Sequence, residues 1–377
     1  MRRVIKLEWS PQQELALYEI SKWLGNAKGP QLFRLFGYAG TGKTTLISEI
    51  ADLVKGQVLY MAYTGKAALI MRKKGCDDAR TIHSSIYRAV EDKKTGKVEF
   101  VLNYDAPVAT ASLVIIDEVS MVNQEIGEDL LQFGKKILII GDPFQLPPVK
   151  GEGYFTSDKP DVMLTEIHRQ ARDNPIIRLA SDIREGKNLR NQTYDECKVF
   201  SRSLIEDVRF DNILSSVDQV ICGMNKTRVN LNNRIRLVKG LANPEDLFEP
   251  RVGDKLICIK NNRKKGLLNG GLWKVNTVAE AQSYYMNLTS LDELGDDDFE
   301  AKVPKEFFMG TEDTLDWRYR KSVDEFTFGE ALTAHKSQGS QWASVLVVDE
   351  SRVFREHAAR HLYTAVTRAA EKVYVAI

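Results

Sequence analysis

An α/β fold of two lobes, each organised on a parallel sheet, is predicted by three observations. Short apolar runs ending in polar or glycine-rich turns recur at Leu32–Phe36, Val58–Ala62, Leu113–Ile116, Ile137–Ile140, Val220–Cys222 and Val345–Val348, the pattern of strands buried on both faces. Amphipathic stretches such as Thr44–Val54 and Gly65–Lys74 lie between them and supply the crossover helices that parallel strands need. The rhythm breaks after Asp142 and resumes at Val220, which predicts a second sheet rather than one very wide one.

Length and composition agree. A chain of 377 residues exceeds the roughly 150 typical of one domain. With 43% hydrophobic and 28% charged residues and 11 prolines, it carries no sign of a disordered or fibrous region. Its 53 Lys+Arg against 52 Asp+Glu leave a net charge of +1, so global charge argues for no nucleic-acid or membrane partner and any such claim needs local residues. The aliphatic runs are far shorter than the roughly 20 residues of a membrane span. Glu8, Gln12 and Gln13 follow Met1-Arg2-Arg3 too closely for a secretory segment, so a cytoplasmic location without membrane contact is expected. Cys76, Cys197, Cys222 and Cys258 form no close pair and read as reduced thiols.

Two segments depart from the α/β pattern. Around Glu91–Phe100 the charged Lys93-Lys94-Thr95-Gly96-Lys97 tract lies between residues able to pair as strands, which predicts a projecting hairpin with Gly96 in the turn. From Asn269 to Glu325 the chain is rich in glycine, aromatics and acids, opens with the turn signal Asn269-Gly270-Gly271 and carries Asp296-Asp297-Asp298, which predicts a small β insertion.

The chemistry is concentrated in a few strand ends. Gly37-Tyr38-Ala39-Gly40-Thr41-Gly42-Lys43-Thr44 fits G-x-x-x-x-G-K-[ST] between an apolar strand and a helix. In such a loop glycines let backbone N–H groups curl round phosphates, Lys43 reaches the β/γ-phosphates and the Thr44 hydroxyl can ligate Mg²⁺. Leu113–Ile116 leads into Asp117-Glu118. Asp117 suits a water-mediated Mg²⁺ contact and Glu118 the base that activates water, although an acidic helix cap has the same appearance. Together the two motifs specify a nucleoside triphosphatase. Gln145, in Gly141–Val149, offers an uncharged sensor of the γ-phosphate. Arg169 and Arg368 each offer a cation for the phosphates, or a surface ion pair.

The ordered blocks Gly37–Thr45, Tyr63–Ala68, Thr81–Ser84, Asp117–Met121, Gly141–Val149, Thr333–Ser340 and Tyr363–Ala369 resemble superfamily 1 DNA helicases of the RecD/Dda type, placed in superfamily 1B, with a compact length most similar to the phage Dda helicase. The resemblance spans nearly the whole chain. It implies two RecA-like P-loop NTPase lobes, 1A (residues 1–84 and 111–168) and 2A (169–268 and 326–377), with a pin hairpin 1B (85–110) and an SH3-like element 2B (269–325).

The implied ATP and Mg²⁺ positions are Gln13, Gly37, Gly40, Thr41, Gly42, Lys43, Thr44, Thr45, Asp117, Glu118, Gln145 and Gly339, with Arg169 and Arg368 sensing the γ-phosphate. Gln13 is the implied adenine contact, though Ser10-Pro11-Gln12-Gln13 is also a capping box and the two roles are compatible. The implied single-strand contacts are Thr64, Lys66, His83 and Ser84 from lobe one and Asn225, His335, Lys336, Ser337 and Ser340 from lobe two. Tyr63 replaces a proline common in the family and either stacks on a base or packs. Phe100 is either a strand-separating wedge or an aromatic packed at the pin base. Lys260, Arg263, Lys264 and Lys265 either guide phosphates or form a solvated face. His357 and His361, four apart without a third ligand, read as structural. The implied activity is ATP-driven 5′→3′ translocation on single-stranded DNA with unwinding at single-strand/duplex junctions, by a monomer in a bacterial cell or phage-infected host. A single-strand-binding protein or other replication or recombination factor is an implied partner that no segment identifies. The alternative is a strand-stimulated ATPase that remodels nucleoprotein complexes without unwinding; an RNA helicase is a weaker third reading, since no ribose 2′-hydroxyl reader is evident.

Overall fold

The computed structural model describes residues 9–91, 98–148, 151–167, 173–262, 265–292 and 298–377. Contacts divide the chain into two compact units, Met1–Arg178 and Leu179–Ile377.

The first unit carries β1 (Leu32–Gly37), β2 (Val58–Ala62), β3 (Arg80–Thr81), β4 (Tyr87–Glu91), β5 (Val98–Leu102), β6 (Leu113–Asp117), β7 (Ile137–Gly141) and β8 (Val162–Leu164). Six of these form a parallel sheet in the order β3-β2-β6-β7-β1-β8. Their unbroken apolar character is explained by helices on both faces. Phe33, Leu35, Leu113, Ile115, Leu138 and Ile140 pack with Ala16, Ile20, Trp23, Leu46, Ile47 and Ile50 on one side. Phe36, Val114, Ile116, Ile137 and Ile139 pack with Val119, Ile126 and Leu130 on the other, so alternate residues of each strand serve opposite cores. The pair β4-β5 is an antiparallel hairpin with Ala89 opposite Phe100; its tip, residues 92–97, lies outside the described residues.

The second unit contains β9 (Gln192–Tyr194), β10 (Cys197–Phe200), β11 (Gln219–Cys222), β12 (Lys255–Cys258), β13 (Leu272–Glu280), β14 (Ser283–Ser290), β15 (Phe299–Pro304), β16 (Phe326–Phe328), β17 (Ala331–Thr333), β18 (Trp342–Val348) and β19 (Ala369–Ala376). Its main sheet runs β17-β11-β18-β19-β10-β9, parallel except for the edge strand β9. A separate antiparallel sheet, β15-β14-β13-β12-β16, closes over Leu256, Trp273, Val275, Met286, Leu288, Val303, Phe326 and Phe328. This sheet is wider than the span 269–325 read from composition, because β12 and β16 supply one side of its core.

Arg236 anchors the second unit from within. It is fully buried against an equally buried Asp254 (Nε–Oδ1 2.7 Å) and stacks on Phe328 at 3.9 Å. It also donates to the carbonyls of Leu247 and Glu249. One side chain thereby ties the helix Asn225–Val238, the following loop and the antiparallel sheet together. No described helix is long and apolar enough to cross a membrane.

Candidate nucleotide and strand-binding sites

The loop after β1 is shaped for phosphate. Gly40 and Gly42 adopt left-handed backbone conformations (φ 80° and 76°) that other residues resist. A Cβ at Gly42 would also lie 2.6 Å from the Gln13 amide nitrogen, and one at Gly37 would lie 2.6 Å from the Thr41 hydroxyl. The chain then enters a 3-10 turn, Lys43–Thr45, before the α-helix Leu46–Asp52, so the helix expected over Thr44–Val54 is shorter than its apolar pattern. Thr44 is half-buried and Thr45 exposed. The Lys43 ammonium folds back and donates to the carbonyls of Gly37 (2.6 Å) and Tyr38 (2.9 Å). These are contacts that a phosphate oxygen would exchange for a charge-assisted pair.

Gln13 lies beneath the loop. Its Oε1 accepts from Ser10 N–H (3.0 Å) and its Nε2 donates to Thr41 O (3.2 Å). The capping box is thus real, with Ser10 Oγ accepting from Gln13 N–H in return, and the same side chain braces the phosphate loop. Gln12, to which sequence reasoning gave no role, accepts from the N–H groups of Thr165 (2.7 Å) and Glu166 (3.0 Å). It joins this element to the segment after β8. Arg169 lies outside the described residues.

Asp117 ends β6, next to β2. Removal from water raises its pKa to about 6, the adjoining Glu118 carboxylate adds to the rise, and the Glu118 N–H, Lys43 and Lys74 oppose it. The Asp117 carboxylate and the Thr44 hydroxyl are both oxygen donors of the kind a hydrated Mg²⁺ takes. Glu118 has φ 56°, a left-handed conformation unusual for a non-glycine residue and of the kind that gathers at functional sites. After β7, Gln145 is buried, and its Oε1 lacks a partner among the described residues. Such an orphaned amide in a core is unfavourable, and a water or phosphate beside it would satisfy it.

On the first unit's other candidate surface, Thr64 caps the helix Gly65–Lys73 by accepting from Ala67 N–H (3.1 Å). Lys66 is buried. The Ser84 hydroxyl donates to Thr81 O (2.8 Å). His83 is the centre of an aromatic group, 5.6 Å from Tyr87, 6.2 Å from Tyr63 and 6.4 Å from Phe100. Tyr63 is half-buried and packs against the core, whereas Phe100 is 62% exposed. Phe100 therefore sits partway along the hairpin with its ring towards His83.

In the second unit Asn225 is exposed at the start of its helix and accepts from Arg228 Nε (3.4 Å). Lys336 is exposed and donates to Asn269 (3.1 Å). His335 is half-buried, and burial, then His357, lower its pKa. Ser337 and Ser340 turn inward instead. Ser337 is fully buried and donates to Ala334 O (2.8 Å), and Ser340 is buried beside Arg368. A strand-facing role does not fit the Ser337 hydroxyl, which the turn uses to close itself, and Ser340 is buried with its backbone carbonyl taken by Arg368. Gly339 supplies the turn's left-handed position (φ 72°).

Arg368 is buried and donates to Thr364 O (3.0 Å), Ser340 O (3.3 Å) and Thr367 Oγ1 (3.3 Å). Among the described residues no carboxylate pairs with it. A buried guanidinium held only by neutral oxygens is positioned and left with its charge uncompensated. His361 is buried, stacked on Phe354 at 4.1 Å. Lys260 and Lys265 engage Glu325 and Asp324, while Arg263 and Lys264 lie outside the described residues, as do Asp296 and Asp297.

Two family models match the chain, an AAA domain over residues 20–199 and a UvrD-like helicase C-terminal domain over 328–376. The chain is 30% identical over 376 residues to the ATP-dependent RecD2 DNA helicase of Deinococcus radiodurans, a match that takes in 94% of this chain and 48% of that protein. It therefore spans about half of that relative's length. It is 25% identical to the ATP-dependent DNA helicase Pif1 of Campylobacter jejuni, covering 89% of this chain and 86% of the relative. The solved structure of Bacteroides Pif1 bound to ssDNA superposes with a TM-score of 0.60 at 18% identity over 98% of this chain and 92% of that one, which establishes the shared fold. In its two α/β sheets, its ordered motifs and these matches the chain is similar to superfamily 1B helicases of the RecD/Pif1 type.

Proposed function

We propose that this chain is an ATP-dependent DNA helicase that translocates 5′→3′ on single-stranded DNA and unwinds duplex at single-strand junctions, acting as a monomer. The observation that carries the reading is the strand-end cluster of the first unit: a glycine cradle with Lys43 on its own carbonyls, a desolvated Asp117, a strained Glu118 and an orphaned Gln145 amide. Lys43 exchanges its carbonyl partners for the β- and γ-phosphates of ATP. Thr44 and Asp117 would hold Mg²⁺, which when bound supplies positive charge to the same phosphates. Gln145 senses the γ-phosphate, and Glu118 orients the attacking water and takes its proton. Arg169 and Arg368 stabilise charge on the γ-phosphate. Binding energy that depends on that phosphate favours one conformation before hydrolysis and releases it afterwards.

Thr64, His83, Asn225, His335 and Lys336 grip the strand. Amide, hydroxyl and ammonium groups contact phosphates without reading bases, and aromatic faces stack on any base, so binding tolerates sequence. Relatives named as ATP-dependent DNA helicases support DNA as substrate. The test is ATPase activity with and without poly(dT) or an equivalent RNA. DNA is expected to stimulate turnover; stimulation by RNA alone, or by neither, would contradict the proposal.

A further inference from the structure

The two main sheets can be compared strand by strand. In the first, β6 is third from one edge, beside β2; in the second, β18 is third from the corresponding edge, beside β11. Both strands lead into the same pair, Ile115-Ile116-Asp117-Glu118 and Val347-Val348-Asp349-Glu350. The second acidic pair has no place in the nucleotide chemistry proposed above, and its geometry differs. Glu350 lies at φ −123° rather than in the left-handed region, and its side chain is buried. One carboxylate oxygen accepts from the N–H groups of Gly223 and Met224 (both 2.9 Å), and the other accepts from the Thr227 hydroxyl (2.5 Å). Arg202 stands 3.5 Å away. Glycine is required at 223, because a Cβ there would lie 2.8 Å from Glu350 Cβ and 3.0 Å from the Phe354 ring.

These contacts put a negative charge on the N-terminus of the Asn225–Val238 helix, the end that favours an anion and whose first N–H groups need partners. The helix begins with Asn225, and Met224 at its cap offers no side-chain hydrogen bond of its own. We propose that Glu350 is a positioning residue: by occupying this helix terminus with its carboxylate, it fixes Asn225 for the second unit's grip on single-stranded DNA. Arg228, one turn along, donates to the Asn225 side chain, while Glu350 holds the N–H groups of Gly223 and Met224 that lead into it. The acidic pair that serves chemistry in the first unit is thus used in the second to build the strand contact. The inference rests on the strand-binding reading of Asn225 above.

The test is a double-mutant cycle read by anisotropy of a fluorescein-labelled dT oligomer and by the strand concentration giving half-maximal ATPase. Glu350→Ala should weaken strand binding about tenfold, the loss expected for one charge-assisted contact. Glu350→Gln, which keeps acceptors but not charge, should recover part of it. ATP KM and turnover at saturating strand should stay at wild-type values. In an Asn225→Ala background Glu350→Ala should cost nothing further. Unaltered strand binding by Glu350→Ala, or losses that multiply with those of Asn225→Ala, would overturn the inference. Should Glu350→Ala fail to fold, Thr227→Val removes only one of the contacts and is expected to weaken binding about two- to threefold, again only when Asn225 is present; no effect, or an effect independent of Asn225, would overturn it equally. A wild-type protein that binds no single strand would contradict the functional reading itself, whereas normal wild-type binding with unaltered variants contradicts this inference alone.

Discussion

Acidification should destabilise this protein through one buried imidazole. His361 stacks on Phe354 with an interplanar angle of 14°, and neither ring nitrogen has a partner among the described residues. Burial, then the nearby His335, push its pKa from 6.5 down to about 4, against the opposing pull of Asp349 and Glu350. Because the folded value lies below the unfolded one, the unfolded chain takes up the proton first as pH falls. The neutral ring's contribution is therefore complete above about pH 6.5, declines through the window down to about pH 4, and is fully lost below it. A gap of that size corresponds to about 3 kcal/mol in full and to about 2 kcal/mol at pH 5. The assay is urea unfolding followed by tryptophan fluorescence at about pH 7.5 and pH 5, for wild type and His361→Leu. Other groups titrate in both proteins, so the quantity to compare is the difference between their pH-induced losses, expected at about 2 kcal/mol with wild type losing more. Equal losses, or a greater loss in His361→Leu, would refute the argument that this ring is held neutral by burial.

Further expectations concern the sites and the core. Lys43→Ala should lower ATP turnover by about a hundredfold or more, and Glu118→Gln should bind a labelled ATP analogue normally yet turn over slowly; normal turnover in Glu118→Gln would remove it as the base. Phe100→Ala should spare strand-stimulated ATPase and impair strand separation in a fluorescent unwinding assay, because the ring is exposed beside His83 rather than packed in a core; equal loss of both activities would assign it to strand binding instead. Arg236→Ala should destabilise the second unit by roughly 3–5 kcal/mol in urea unfolding, since it strands the fully buried Asp254 carboxylate. A loss below about 1 kcal/mol would show that solvent enters the site.

What was legible in the sequence follows from the range of the forces involved. The strands Val58–Ala62, Leu113–Asp117 and Ile137–Gly141 announce themselves because burial on both faces demands unbroken apolar runs. The phosphate loop is legible because its glycines answer a local backbone requirement. Long-range pairings leave no such trace. Lys255–Cys258 and Phe326–Phe328 are far apart in sequence and become neighbouring strands only through the antiparallel core, so composition drew that sheet too narrow. Ser337 shares its motif with exposed Lys336, yet the turn's own hydrogen bonding buries it. Arg236 looks like one more helix-surface cation until Asp254, on a later loop, meets it. Glu350 reads as an ordinary strand-end acid, and its role emerges only when β18 is set beside β11.

The central claim is tested most directly by unwinding of short duplexes that carry either a 5′ or a 3′ single-stranded tail, with ATP and Mg²⁺, alongside ATPase stimulation by the same strands. Displacement of the complement only from the 5′-tailed duplex is the predicted result. Strand-stimulated ATPase without unwinding of either duplex would contradict it, leaving a translocase that remodels nucleoprotein complexes; unwinding only from the 3′ tail would contradict the proposed direction.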